Sequence, residues 1–370
     1  MFKLRVVQAE YGDCLILEFG TSSNPRYILV DGGPPHIYKK HLRGELGKIR
    51  DKGGKLDLAI VSHVDNDHII GLQDLMADLR EQRANDLNEV VAIDGLWHNA
   101  FSQTIGTDND IEARINTLLS HSGVAAHTMS ATGMVVEGVK EGNQLKLAAA
   151  TLGIPVNAEF PDGLILAGEA PKSFAFGNLT LHIVGPTEKN LEDLKKKWLD
   201  WLEANEDRIA SGDPYVAAMA DRSIPNLSSI MLLAESQGKK VLLTGDGRGD
   251  HLLQGLEQAD LLDPEGNLHV DVLKLPHHGS DRNVTKKFFK SVTADKYVIS
   301  ANGKDGNPDL ASLIWIVDTA RAQGRSIDIL VTNETSSTQK LVEEYDPQEY
   351  GYRLKVMKKG SNSMTLKIAT

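Results

Sequence analysis

Only one cysteine, Cys14, occurs in 370 residues. That excludes a disulfide scaffold and any cysteine-based zinc module. Free Cys is usually buried, so Cys14 is expected to be a small core residue. Long apolar runs are missing as well. No stretch approaches the ~18 residues of a membrane span, and no membrane association is expected. The opening MFKLRVVQAEYGDCLILEFG lacks the charged start, apolar run and small-residue cleavage site of a signal peptide, and alternates like a strand pair. A cytoplasmic protein is the expectation. Positive charge is in deficit: 40 Lys+Arg against 51 Asp+Glu give a formal charge of −11. This argues against a broad non-specific coat on nucleic acid, which rests on neutralised phosphates, but leaves room for a local basic groove or a metal-centred site. No GxGxxG or Walker loop is found for a nucleotide cofactor, and no Ser/His/Asp motif supplies a nucleophile.

What remains is a globular chain. Hydrophobic residues make up 41% of it, too many for a disordered chain. Length allows either two domains or one elaborated domain, and a core is easily buried. Short apolar, β-rich runs bounded by Gly or Asp predict strands near residues 3–8, 14–19, 27–30, 56–62, 90–96 and 179–184. The series resumes at 229–234, 240–244, 270–275, 296–300 and 327–332. Helical spacing falls at 68–82, at 187–209 with Thr187 as N-cap after Pro186, and at 308–323 before Gly324. Residues from about 99 to 222 are the least regular and read as an insertion or cap. The polar tail after about 335 is expected to add edge strands near 352–357 and 363–368.

The chemistry concentrates in a few segments. In LDLAIVSHVDNDHIIGL a buried strand ends in His63, Asp65, Asp67 and His68, and a helix follows at once. Imidazole and carboxylate are ligands for Zn, Mn or Fe. A turn lets four such side chains converge, which a regular strand or helix would not. The plain alternative is a polar loop whose Asp residues cap the helix. Three further strands also stop at an acid or imidazole. YILVDGG ends at Asp31, KVLLTGDG at Asp246, and VDVLKLPHHGS at the adjacent His277 and His278. Each alone is ordinary turn chemistry, but together with HVDNDH they make a ligand set on one rim.

These segments, in this order, with VQAEYGDCLILEFG before them and PNLSSIMLL between, resemble the metallo-β-lactamase superfamily of metallohydrolases. The likeness is strongest to the hydrolase domain of the DNA-uptake protein ComEC and its soluble relatives. The resemblance implies a single α/β domain, a four-layered αββα sandwich with two divalent metals at the edge between its sheets. It implies His63 and Asp65 on the first metal, Asp67 and His68 on the second, Asp246 bridging, and His277 or His278 completing the second site. Asp31 would anchor the ligand turn from behind, with Asn226 and Ser229 in the same outer layer. Asp67, His68 and Asp246 would be the catalytic core.

Two departures stand out. Asp65 replaces the superfamily's usual His, as in the ComEC-like branch, and makes manganese an alternative to zinc. The loop before the bridging Asp reads Pro225-Asn226-Leu227-Ser228-Ser229, with no histidine for the first metal. Either that site is a ligand short, or the pair His277–His278 serves both metals, or His98 swings in; the pair is preferred. Asn307-Pro308 stands where relatives often carry His-Pro.

A water acidified between two divalent ions would attack phosphorus or an acyl carbon. The resemblance points to a phosphodiester substrate, nucleic acid or nucleotide. Arg248, Arg282 and Lys304 are candidate phosphate contacts, and His98 a candidate substrate contact. Two other functions stay open: a small-molecule esterase or amidase, and a component of a multi-protein system gated by a protein partner.

Overall fold

The computed structural model describes residues 1–100, 104, 134–210 and 225–370. Its strands are β1 (Phe2–Val7), β2 (Leu15–Gly20), β3 (Pro25–Val30), β4 (Leu56–Val61), β5 (Leu96–His98), β6 (Ser173–Phe176) and β7 (Leu179–Gly185). They continue with β8 (Met231–Ser236), β9 (Lys239–Leu243), β10 (Leu268–Lys274), β11 (Val292–Ile299), β12 (Ile327–Val331), β13 (Tyr352–Val356) and β14 (Ser363–Ala369). They form two sheets, of order β14-β1-β2-β3-β4-β5 and β13-β12-β11-β10-β9-β8-β7-β6. In the first, β14, β1, β2 and β3 pair antiparallel, and β4 and β5 join in parallel. In the second, β6 to β9 form an antiparallel meander and β9 to β13 run parallel.

Side-chain alternation builds the layers, because successive residues of a strand face opposite sides. On β2, Leu15, Leu17 and Phe19 join an inner core with Leu181, Ile183, Leu232 and Leu243 of the second sheet. Ile16 points the other way and joins a core with Leu42, Leu72, Leu75 and Leu145. A third core packs β10, β11 and β12 against Leu252, Phe288, Leu313 and Leu341. Three cores between four layers make an αββα sandwich, helix–sheet–sheet–helix. Helices Arg43–Arg50, Asn66–Ala84 and Met134–Thr151 cover the first sheet. Helices Gly249–Gln258, Lys286–Ser291, Leu310–Ala322 and Ser336–Glu344 cover the second.

Most predicted elements appear within a residue or two. Thr187 caps the long helix with a reciprocal box: its hydroxyl accepts from Asn190 N–H, and Asn190 Oδ1 accepts from Thr187 N–H. That helix ends at Ala204, where Asn205 interrupts it, and a short helix Glu206–Ala210 follows. The strand expected at 90–96 is displaced. Val90 and Val91 are buried, a single isolated bridge joins Ile93 to Leu56, and the ladder proper begins only at Leu96. Apolar burial without a ladder looks like a strand to a composition rule. The tail supplies one edge strand to each sheet, β13 beside β12 and β14 beside β1. Within the stretch from 99 to 222, β6 and β7 belong to the second sheet, while residues 105–133 and 211–224 lie outside the described residues. No helix among the described residues is long and apolar enough to cross a membrane.

Candidate metal centre

The ligand candidates all sit where strands end. His63 to His68 follow β4, Asp246 follows β9, and His277 and His278 follow β10. Asp65 holds the N-cap position of the helix Asn66–Ala84, yet its side chain makes no capping bond. Its Oδ2 lies 3.4 Å from His63 Nε2 instead. The helix-cap explanation of these acids therefore fails at the residue where it applies. His277 and His278 occupy left-handed backbone, with φ of 47° and 56°. Consecutive non-glycine residues in that region are costly and cluster at functional sites.

The tautomers follow from the partners. An ionised carboxylate only accepts, so His68 Nδ1–H donates to Asp31 Oδ2 at 2.8 Å. The hydroxyl of Ser62 donates its one proton to the same oxygen at 2.8 Å. Its lone pairs are then left to accept from His63 Nδ1–H at 3.1 Å. His278 Nδ1–H donates to the Ser300 carbonyl at 2.8 Å. Asn283 donates its amide N–H to Asp246 O, so its Oδ1 accepts from His277 Nδ1–H at 2.9 Å. All four imidazoles are thus tied at Nδ1, and each leaves Nε2 as the ligand atom.

Those Nε2 atoms converge on the acids. His68 Nε2 is 3.2 Å from Asp246 Oδ1 and 4.0 Å from Asp67 Oδ1. His278 Nε2 is 3.4 Å from Asp67 Oδ2 and 3.5 Å from Asp246 Oδ1. His277 Nε2 approaches the other oxygen, Asp246 Oδ2, at 3.6 Å. Ligand atoms about 2.1 Å from one tetrahedral ion are roughly 3.4 Å apart, the separation seen here. His63 Nε2, Asp65 Oδ1, His68 Nε2, Asp246 Oδ1 and His278 Nε2 are all buried without a hydrogen-bond partner. Native proteins rarely strand buried polar atoms, and those of His63, His68, Asp246 and His278, which lie among converging ligand groups, are accounted for by a cation. The residues present fit a divalent metal, with His63/His68/Asp246 and Asp67/His68/His278 as groups whose ligand atoms converge.

The electrostatics carry the same demand. Burial pushes the His68 and His278 pKa values down, but nearby carboxylates outweigh it and raise both well above the ordinary histidine range. Burial likewise raises Asp246, and His278, His277 and His68 overcome it and hold the carboxyl well below its usual value. Asp67 follows the same pattern, with His68 and His278 against burial. The carboxylates thus favour positive charge at the centre, which a divalent ion would supply in place of imidazole protons.

The other expected residues are placed as follows. Asp31 lies behind His68 and also accepts from Ser62 N–H at 2.7 Å. Asn226 lies 3.2 Å from His277 Nδ1, and its backbone carbonyl accepts from Ser229 N–H at 3.2 Å, the Ser229 hydroxyl being buried and unpartnered. Arg248, Arg282 and Lys304 line a pocket of about 930 Å³ over the centre, together with Asp65, Asp67, Asp246, His277 and His278. Arg248 is bound in a fork to Asp250. Lys304 Nζ stands 3.4 Å above the Tyr11 ring centroid. His98 does not line this pocket. Its ring is buried against the helix Met134–Thr151, where a Cβ on Gly142 would lie 3.0 Å from Nε2.

Burial holds His98 at a pKa of about 4, with Lys146 adding to the effect. The unfolded chain binds a proton there near pH 6.5 and the fold does not. Its contribution is therefore present above pH 6.5 and lost as pH falls toward 4, about 3 kcal/mol in all. Denaturation of wild type and His98→Leu at pH 7 and pH 4.5 checks this. The variant should lose less stability on acidification.

Sequence reading missed several participants. Tyr11 and Lys197 line the pocket, and Ser62, Asn283 and Ser300 fix the imidazoles. Asp13 and Lys274 form a buried ion pair behind His278. Lys274 carried a usable signal, a charge inside the apolar run of β10.

Residues 10–137 match the family model described as the metallo-beta-lactamase superfamily, and the sandwich is the metallo-β-lactamase fold. Similar solved structures include the metallo-beta-lactamase fold protein YhfI from Bacillus subtilis, at 10% identity and TM-score 0.42 over 99% of both chains. A new diphosphatase from the PhnP family is similar at 10% identity and TM-score 0.39, over 100% of this chain and 98% of that one. The short form of human tRNase Z, ELAC1, is similar at 10% identity and TM-score 0.36 over 100% of both. No curated protein matches the chain.

Proposed function

We propose that this chain is a binuclear metal-dependent hydrolase of the ComEC-like branch, acting on phosphodiesters. The observation that carries the reading is the set of four imidazoles, each fixed at Nδ1, whose Nε2 atoms face Asp65, Asp67 and Asp246. Asp246 divides the set, because Oδ1 faces His68 and His278 while Oδ2 faces His277. This favours a pair of histidines serving both ions. Asp67, His68, His278 and Asp246 Oδ1 would hold one, and His63, Asp65, His277 and Asp246 Oδ2 the other. The four imidazoles suit zinc, and the three carboxylates, with Asp65 among them, make manganese the alternative. Bound divalent ions supply Lewis acidity, which acidifies water and offsets charge developing on the phosphate.

The chain's own residues do the rest. Asp31, Ser62, Asn283 and Ser300 hold the imidazoles in register before substrate arrives. Arg248, Arg282, Lys304 and Lys197 stand around the pocket, where an anionic ester would be oriented. The acidic net charge suits a nucleotide or a short strand better than a long duplex.

The test is turnover of bis-p-nitrophenyl phosphate against p-nitrophenyl acetate by the chelated protein and after return of Zn²⁺ or Mn²⁺. We expect no phosphodiester turnover after chelation, recovery with metal, and little action on the acetate. Acetate turnover exceeding phosphodiester turnover would move the assignment to an esterase. Two bound ions without turnover of either would favour a centre gated by a protein partner.

A further inference from the structure

Behind the metal centre lies a charged pair that the reaction does not use directly. Asp13 and Lys274 are fully buried, at 1% and 0% exposure. Lys274 Nζ stands 2.5 Å from Asp13 Oδ2 and donates to the Leu275 carbonyl at 2.9 Å. Asp13 Oδ1 lies 3.6 Å from His278 Nδ1, the nitrogen that donates to the Ser300 carbonyl. The same short segment touches the other ligand loop. Asp13 N–H donates to the Asp67 carbonyl at 3.2 Å, and Ser300 Oγ donates to the Gly12 carbonyl at 2.5 Å. Glycine at position 12 permits this approach, because a Cβ there would lie 2.0 Å from Asp67 O. One turn of the first sheet thus holds Asp67 by its backbone and His278 through its side chain and Ser300.

A buried ion pair contributes little to stability beyond an apolar pair of the same volume, so its value lies in what it fixes. We propose that Asp13 and Lys274 are positioning residues. The inference rests on the metal centre proposed for this site: Asp13 sets the orientation of His278 toward the ion shared with Asp67. Lys274 holds the Asp13 carboxylate turned away from that ion. The ligand atoms of Asp13, Asp246 and His278 lie close enough to share an ion. The Lys274 ammonium at Asp13 Oδ2 already supplies a positive charge there and opposes a second cation.

Zn²⁺ and Co²⁺ binding by the metal-stripped full chain tests the pair, with two variants. Asp13→Asn keeps the shape and removes the charge. Asp13→Asn/Lys274→Met removes both charges and restores balance. Both variants should fold. One of the two ions should bind about 10–100-fold more weakly, the usual effect of losing an outer partner of a ligating histidine, and the Co²⁺ absorption bands of that site should change. Wild-type affinity for both ions in either variant would overturn the proposal. So would failure of both variants to fold, since the pair would then serve the sandwich and not the site. Wild-type protein that binds no ion would instead overturn the reading of the centre itself.

Discussion

His68→Ala is expected to strip the centre of metal and abolish hydrolysis, a loss above about a hundredfold, since even outer partners cost up to that much. Among the described residues, His68 takes part in three of the four groups of converging ligand atoms. Its Nδ1 is anchored to Asp31 and its Nε2 faces Asp246. Removing the ring leaves Asp246 and Asp67 without one of the imidazoles that hold their pKa values down, so the acids lose counter-charge as well as a co-ligand. Metal analysis of the purified variant beside phosphodiester turnover checks both parts. Full metal content with full activity would remove His68 from the site.

Gly71→Ala is the second large effect, and it acts from behind the centre. The Asp31-Gly32-Gly33 turn is docked on the first turns of the helix Asn66–Ala84. Gly32 N–H donates to the His68 carbonyl at 2.7 Å and Gly71 N–H to the Gly33 carbonyl at 3.0 Å. A Cβ on Gly71 would lie 1.9 Å from Gly32 O, and one on Gly32 would lie 2.3 Å from Leu72 N. Both walls are backbone and cannot swing aside, so the helix and turn must part. We expect a loss of at least about 3 kcal/mol, at or above the usual upper limit for overpacking. Metal affinity should weaken too, because Asp31 moves off His68. Gly47→Ala is the control. Gly47 lies within the helix Arg43–Arg50 with nothing within 4 Å of an added Cβ, and alanine should add about 0.5–1 kcal/mol. Chemical denaturation of the two variants should move in opposite directions.

The ligand-bearing strands were legible because each is a short apolar run that stops at a charged or imidazole side chain. β3, β4, β9 and β10 all have that form, and the first helix after His63–His68 announces itself by spacing. Val90 and Val91 misled because burial in a loop has the same composition as burial in a strand. β6 escaped notice because its exposed and half-buried residues make a weak apolar signal. In the site, residues that carry metal chemistry in their type could be named. Ser62, Asn283, Ser300 and Asp13 could not, since their part depends on distances set by the packing of two sheets far apart in sequence. Lys197 reaches the pocket only because the long helix leans on the Pro225–Ser228 turn, which no local pattern reveals.

Metal content of the purified full chain, measured beside phosphodiester turnover with Zn²⁺ and Mn²⁺, tests the central claim most directly. Two ions per chain with metal-dependent phosphodiester cleavage is the predicted result. Protein that neither holds nor takes up a divalent ion, with its fold intact, would contradict it.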